Sequence, residues 1–194
     1  MDLGSQPFGG ASLRIAVSGA TSVASVGFLV VATGASLLTF AGVSPEASKG
    51  LAAVSFAGAL LAWGVFIISG LAIGGSRRRT WSEILTYSED DRLWRDALPS
   101  RVIALVGVCM VVLLAGMLIG VADMGPGSPE EVDGRYYSNN HGEVTALTED
   151  EYLRAVGAET RMFVTVAGVF LSASAIGAGS RRNRLQMRWS MLSA

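Results

Sequence analysis

The chain has 194 residues, of which 51% are apolar and 16% charged, with 24 glycines, a formal net charge of −1 and a mean hydropathy of +0.46. Soluble chains carry about 25% charged residues. Here the apolar residues fall in long uncharged blocks, which excludes a soluble, disordered or collagen-like chain, and Cys109 as the only cysteine excludes a disulfide scaffold.

No Asp, Glu, Lys, Arg or His occurs in 15–45, 50–76, 102–122 or 162–180, blocks of 31, 27, 21 and 19 residues. A membrane-spanning helix needs about 20 predominantly apolar residues. The blocks therefore predict four spans, at about 15–43, 51–75, 102–122 and 161–179. The first block carries Ser18, Thr21, Ser22, Ser25, Thr33, Ser36 and Thr39. Such side chains suit a helix buried among others better than one facing lipid. A signal peptide is the competing reading of this block, but Arg14 is opposed by Asp2 and the apolar stretch exceeds the roughly 7–15 residues of a signal h-region. Both readings leave residue 44 outside.

Between the first two spans, Ser44–Lys49 reads as a tight turn that makes an antiparallel helical hairpin. The segment 76–101 is amphipathic. Arg77, Arg78 and Arg79 follow Gly74 and Gly75, as at a helix C-terminus. Trp81, Ile84, Leu85 and Tyr87, then Leu93, Trp94 and Leu98, lie among charges. This is the pattern of an interfacial helix; Trp81, Leu85 and Trp94 are also the candidates for docking a partner on that side. Of the fifteen Lys and Arg, eleven fall at Arg14, in 77–101 and in 181–188; Lys49, Arg135, Arg154 and Arg161 fall on the other side. The positive-inside rule then puts both termini and 76–101 in the cytoplasm and 123–160 outside.

Within 123–160, Met124–Asp133 reads as a linker with Pro126, Gly127, Ser128 and Pro129. Tyr136-Tyr137 and Val144-Thr145 favour strands, and Asn139-Asn140-His141-Gly142 between them suits a turn with positive φ. A β-hairpin over 134–147 follows. Thr148 and Glu151 match the capping box, so a helix should start there and run from about 149 to 179. The fold class expected is an all-α membrane protein of four transmembrane helices with a small β-hairpin in the outer loop between helices 3 and 4.

Gly134–Tyr137, Asn139–Gly142, Thr145 and Glu151-Tyr152 resemble an outer-loop motif of uncharacterised bacterial multi-pass membrane proteins, in which an aromatic pair, Asn-Asn-His-Gly, a Thr and a later Glu-Tyr precede the last span. The likeness covers about a tenth of the chain, and Ser138 stands where that pattern has an apolar residue. It implies a bacterial plasma-membrane protein with this loop outside, and no activity. Fourteen Arg against one Lys fits a GC-rich bacterial genome.

Two further patterns stand out. Ala72–Arg78 and Ala175–Arg182 are alike, each is followed by Trp-Ser (Trp81-Ser82, Trp189-Ser190), and both would end an outside-to-inside helix, so a duplicated hairpin competes with convergence of helix stops. Gly70-x-x-x-Gly74 and Gly116-x-x-x-Gly120, extended by Ala53, Ala57, Gly168 and Ser172, permit close helix contact, within the bundle or in a homo-oligomer.

Catalytic chemistry has little to stand on. A charge inside a span marks ion or proton pathways, and the four blocks lack one. His141 is the only histidine; a metal site would need Glu143, Glu130 or Glu131 as well, and no His or Cys pair supports it. Cys109 lies mid-span as a small packing residue. No phosphate loop or nucleophile elbow occurs. The segment 124–160 holds eight acids against Arg135 and Arg154, which disfavours nucleic acid and anionic lipid; a solvated acidic face competes with attraction of a cationic partner or ion. The expectation is a non-enzymatic membrane protein with neither cofactor nor metal. It would meet a membrane or cell-surface protein through Tyr136, Tyr137, Asn139, Asn140, His141 and Gly142 outside, or through the inner amphipathic segment. The alternative is an oligomeric channel or transporter component.

Overall fold

A computed structural model of the protein describes residues 8–41, 45–73 and 98–193. It contains α1 (Phe8–Phe40), α2 (Pro45–Ile73), α3 (Ser100–Asp123), β1 (Ser128–Val132), β2 (Arg135–Asn140), β3 (Glu143–Leu147) and α4 (Glu149–Ser193). All four helices are long and apolar enough to cross a membrane. The strands form one antiparallel sheet in the order β1-β2-β3, between α3 and α4 in sequence.

The bundle is organised around α4. It packs against each of the other three helices, and 56% of its apolar window is buried against 22–33% for the others. The core between them is built from small side chains. Leu29, Leu113 and Leu171 are its largest fully buried members, and the rest is mostly Ala, Ser, Thr, Val and Gly. Small residues let backbones approach, which in lipid replaces the hydrophobic drive that water would supply. Larger apolar groups point the other way: Leu60, Leu61, Ile68, Val108, Val111 and Leu118 are exposed.

The hydroxyls of α1 lie on its inward side, as their number suggested. Ser18, Ser22, Ser25, Thr33 and Ser36 are buried. Two of these return to their own helix: Ser25 Oγ donates to the Thr21 carbonyl at 2.7 Å and Thr33 Oγ1 to that of Leu29 at 2.9 Å. Two hydroxyls cross between helices. Ser22 Oγ donates to the Ala175 carbonyl at 2.9 Å, and Thr165 Oγ1 to that of Leu113 at 2.9 Å. On the flank facing α2, Phe163 and Phe170 of α4 meet Phe56 and Trp63 edge-on, with ring centroids 6.5 and 5.4 Å apart.

Several expectations need correction. The stretch 124–133 is not only a linker: its second half is β1, so the sheet has three strands where a two-stranded hairpin over 134–147 was expected. The last helix does not stop at 179. It continues through Gly179-Ser180-Arg181-Arg182 to Ser193, because neither Gly nor Ser ends a helix that packing and following helix formers sustain. Ala175–Arg182 therefore does not end a helix, and the stretch it is likened to lies from residue 74 onward outside the described residues. Pro45 is the first residue of α2, where its fixed φ is pre-organised, so Lys49 is helical and not part of a turn. Ala53 and Ala57 are exposed, whereas Gly116, Gly120, Gly168 and Ser172 are buried in the bundle. Trp81, Leu85 and Trp94, with most of 76–101, lie outside the described residues.

Candidate functional site

The sheet is shaped by two tight turns. Asp133-Gly134 (φ 51° and 71°) joins β1 to β2, and His141-Gly142 (φ 53° and 95°) joins β2 to β3. Two successive positive φ values make the two-residue hairpin turn whose twist matches the flanking strands. Asn139 secures the second turn: its Oδ1 accepts from the Gly142 N–H at 3.0 Å, and its Nδ2 donates to Glu130 Oε1 on β1 at 3.0 Å.

Register decides what each face carries. Tyr136 pairs with Leu147 and Glu131, Tyr137 with Ala146 and Glu130, and Ser138 with Thr145 and Pro129. Directly opposed residues share a face and neighbours along a strand alternate. One face therefore carries Tyr136, Ser138, Thr145 and Leu147, and the other Tyr137, Asn139, Val144 and Ala146.

The first face is fixed to the bundle. The ring of Tyr136 stacks on that of Tyr152, with centroids 4.6 Å apart and planes 22° from parallel. Tyr152 is buried in the first turn of α4. That turn begins with the expected capping box: the Thr148 N–H donates to Glu151 Oε2 at 2.8 Å, and the Glu151 N–H donates back to Thr148 Oγ1 at 3.3 Å. Ser138 Oγ donates to the Pro126 carbonyl and ties β2 to the chain leaving α3. Between sheet and helix ends lies a cleft of about 360 Å³, whose lining includes Asp123, Ser138, Thr145, Leu147, Glu151 and Arg154.

Beneath this cleft lies a buried cation. Arg161, which the charge count groups with Lys49, Arg135 and Arg154 on the outer side, has only 4% of its side chain exposed. Its Nη2 donates to Asp123 Oδ2 at 2.9 Å, its Nη1 to Thr39 Oγ1 at 3.2 Å, and its guanidinium carbon lies 4.6 Å from the centre of the Phe40 ring. One side chain thus joins α1, α3 and α4. The absence of a Cβ makes the space: at Gly120 one would stand 3.2 Å from the Ala158 carbonyl and 3.4 Å from Arg161 Nε. The Gly116-x-x-x-Gly120 pair serves this close approach within the chain. Arg161 Nε and Ser36 Oγ are buried without a hydrogen-bond partner among the described residues. Asp123 differs from Arg161 in being 38% exposed, so the pair has one buried end and one end that reaches the cleft.

The sequence signal for Arg161 was its helical phase. Gly157, Arg161, Val164, Gly168, Leu171 and Ala175 recur at spacings of three and four, so Arg161 sits on the packed stripe of its helix. Ending each block at its first charge hid this.

The residues proposed for outer interaction do not form one patch. Tyr136 is used against Tyr152, and Asn139, His141 and Gly142 build the turn. Tyr137 lies on the opposite face, and Asn140 is exposed at the end of β2. His141 is exposed in the turn, and among the described residues no three His, Cys, Asp or Glu side chains gather where a metal ion could sit. Cys109 is buried in the bundle. No protein-family model matches the chain, and no curated protein or solved structure matches it either.

Proposed function

We propose that this is a non-enzymatic, multi-pass membrane protein that holds a small sheet outside the bilayer for a protein partner. The reading extends to a bacterial plasma membrane with both termini cytoplasmic. The observation that carries it is α4, one continuous helix of 45 residues. At 1.5 Å per residue it is about 67 Å long, roughly twice a hydrocarbon core of about 30 Å. A helix of that length can cross the core and project beyond it at both ends; in this reading its first turns, which bear Tyr152 and the capping box that fix the sheet, stand clear of the bilayer. Inverted polarity, with hydroxyls inside and large apolar groups outside, supports lipid as the surrounding medium. The arginine bias supports the orientation, and the resemblance to bacterial outer loops supports the source. The eight acids of 124–160 favour a cationic partner surface over nucleic acid.

An oligomeric channel is the second reading. The buried hydroxyls of Ser18, Ser36, Ser172 and Ser174, which have no hydrogen-bond partner among the described residues, favour it. Leu29, Leu113 and Leu171, fully buried within the bundle, oppose a path through a single chain.

Two measurements test the proposal. On a Cys109→Ser background, cysteines at Ser138 and Ser190 should label from outside and only after permeabilisation, respectively; external labelling at Ser190 in intact cells would refute the orientation. Native pull-down with mass spectrometry should recover a membrane or surface protein that Tyr136→Ala loses at unchanged abundance. Ion flux in liposomes without any specific co-purifying protein would favour the channel.

A further inference from the structure

The two edges of the sheet are not alike. In a two-residue hairpin the residues flanking the turn exchange both backbone hydrogen bonds, and such pairs alternate with non-bonded ones along the ladder. From the registers, Val132, Glu130 and Ser128 bond to β2, so Glu131 and Pro129 turn their backbone groups to the outer side of β1. Pro129 has no N–H, and Glu130 and Glu131 are charged. Proline and charge are how edges are closed to further pairing. On β3, Glu143, Thr145 and Leu147 bond to β2, so Val144 and Ala146 turn outward. Each offers an N–H and a C=O, residues 143–146 are exposed, and among the described residues no strand pairs beyond β3. This edge holds no Pro, and its one charged residue, Glu143, stands at its end and not among the outward-facing positions.

From this asymmetry we infer that β3 is a strand-addition site, and that it accepts an extended segment of a partner protein with cationic residues at both ends. This deepens the proposed function and rests on it. Charge selects the occupant. Glu143 opens β3, and Glu149, Asp150 and Glu151 follow its end. A second copy pairing antiparallel through β3 would bring Glu143 of each chain towards Glu149 of the other, an acid against an acid at both ends. A partner strand of five to seven residues, about 17–23 Å at 3.3 Å per residue, would instead set a Lys or Arg beside each acidic end. Its centre should be β-branched or apolar, beside the exposed Val144 and Ala146. Main-chain bonds would then supply affinity, and side-chain and end charges selectivity.

The test uses the full chain in nanodiscs of zwitterionic lipid and two peptides, Lys-Val-Thr-Val-Thr-Val-Lys and its counterpart with Glu at both ends. The Lys peptide should slow amide exchange at Val144 and Ala146 by about tenfold or more, and the Glu peptide should not. Ala146→Pro removes an outward N–H without taking a bond from β2. It should weaken Lys-peptide binding by about tenfold or more while exchange at Ser138 and Thr145 stays protected. The pair Glu143→Lys with Glu149→Lys leaves the backbone intact and should reverse the preference between the peptides. Absence of Lys-peptide binding up to about 1 mM, equal binding of both peptides, or a peptide-free dimer through β3 overturns the inference. Recovery of the native partner separates the two levels: if Ala146→Pro keeps it and Tyr136→Ala loses it, the edge is refuted and the platform stands. If neither variant alters it, both are refuted.

Discussion

Asp123→Asn is the sharpest probe of the bundle, because it removes a charge while keeping the shape of the side chain. Arg161 would retain Thr39 Oγ1 at 3.2 Å and the Phe40 ring at 4.6 Å, and an amide oxygen could still accept from Nη2. The counter-charge would be gone. Breaking a fully buried pair costs about 3–5 kcal/mol. Since 38% of the Asp123 side chain is exposed, solvent already screens one partner, and the expected loss is about 2 kcal/mol. Arg161→Met should cost less, about 1 kcal/mol or below, because it leaves no buried charge and Asp123 can hydrate in the cleft. The double variant should then match Arg161→Met alone, giving a coupling of about 2 kcal/mol between the sites. Reversible unfolding of the nanodisc- or detergent-embedded protein measures all four corners of the cycle. Additive effects, or an Asp123→Asn variant as stable as the parent, would refute the claim that Asp123 compensates a buried charge.

The other predictions concern local backbone and packing. Gly142→Val places a β-branched side chain at φ 95° and should cost about 1 kcal/mol or more of hairpin stability; unchanged amide exchange across Tyr136–Thr145 would contradict the turn geometry. Thr148→Ala should cost about 1 kcal/mol at the start of α4 and speed exchange at Glu151–Arg154, while Val164–Ala175 stays protected, since backbone bonds in lipid cannot be given up. Gly120→Val should destabilise by about 2 kcal/mol or more, because its Cβ would stand 3.2 Å from the Ala158 backbone carbonyl and 3.4 Å from Arg161 Nε, with two further methyls to place. Gly107→Ala on the same helix, where a Cβ meets nothing within 4 Å, should stabilise by up to about 1 kcal/mol. A thermal shift series that ranks Gly107→Ala below Gly120→Val would reject this packing.

What the sequence made legible depended on how local each signal was. Uncharged length marked the four helices, and the Thr148–Glu151 capping box marked where α4 begins, since both are written in consecutive residues. The turn at His141-Gly142 was legible from glycine beside residues that tolerate positive φ. The turn at Asp133-Gly134 carries an even stronger two-residue signal. Pro126, Gly127 and Pro129 just before it made the stretch resemble a linker, although an edge strand tolerates proline where its N–H would face away. Arg161 was missed for a different reason. Its place on the packed stripe is written in the local phase of α4, but its partners, Asp123 and Thr39, are 38 and 122 residues away, and no rule that reads charge locally can see them. The end of α4 was misjudged because Gly179 and Ser180 look like a stop in isolation. In the fold, Ala178, Gly179 and Ser180 are buried against neighbouring helices, and packing outweighs a propensity cost of about 1 kcal/mol.

The position of the Arg161–Asp123 pair bears on how the sheet is held. Arg161 lies nine residues after Tyr152 on α4, about 14 Å along the helix axis at 1.5 Å per residue. Asp123 is the last residue of α3 and lines the cleft under the sheet. The chain that leaves α3 at Asp123 reaches Pro126, whose carbonyl accepts from Ser138 on β2. The sheet therefore has two mounts, Tyr136 on α4 and Ser138 beside the end of α3, and the ion pair fixes those two helices relative to each other. Between α3 and α4 the other ties are the Thr165 hydroxyl on the Leu113 carbonyl and Leu113 seated against Gly168, both further into the bundle, and the small residues near the sheet offer little interdigitation to set register there. A charge that can be satisfied at only one carboxylate supplies a register that apolar contact does not. On this argument the buried arginine serves the geometry of the sheet more than the stability of the bundle, and Arg161→Met should loosen the Tyr136–Tyr152 contact even where it leaves unfolding nearly unchanged. Tyrosine fluorescence anisotropy or side-chain NMR of Tyr136 would register that loosening, and an unaltered Tyr136 environment in Arg161→Met would assign the register to the packing alone.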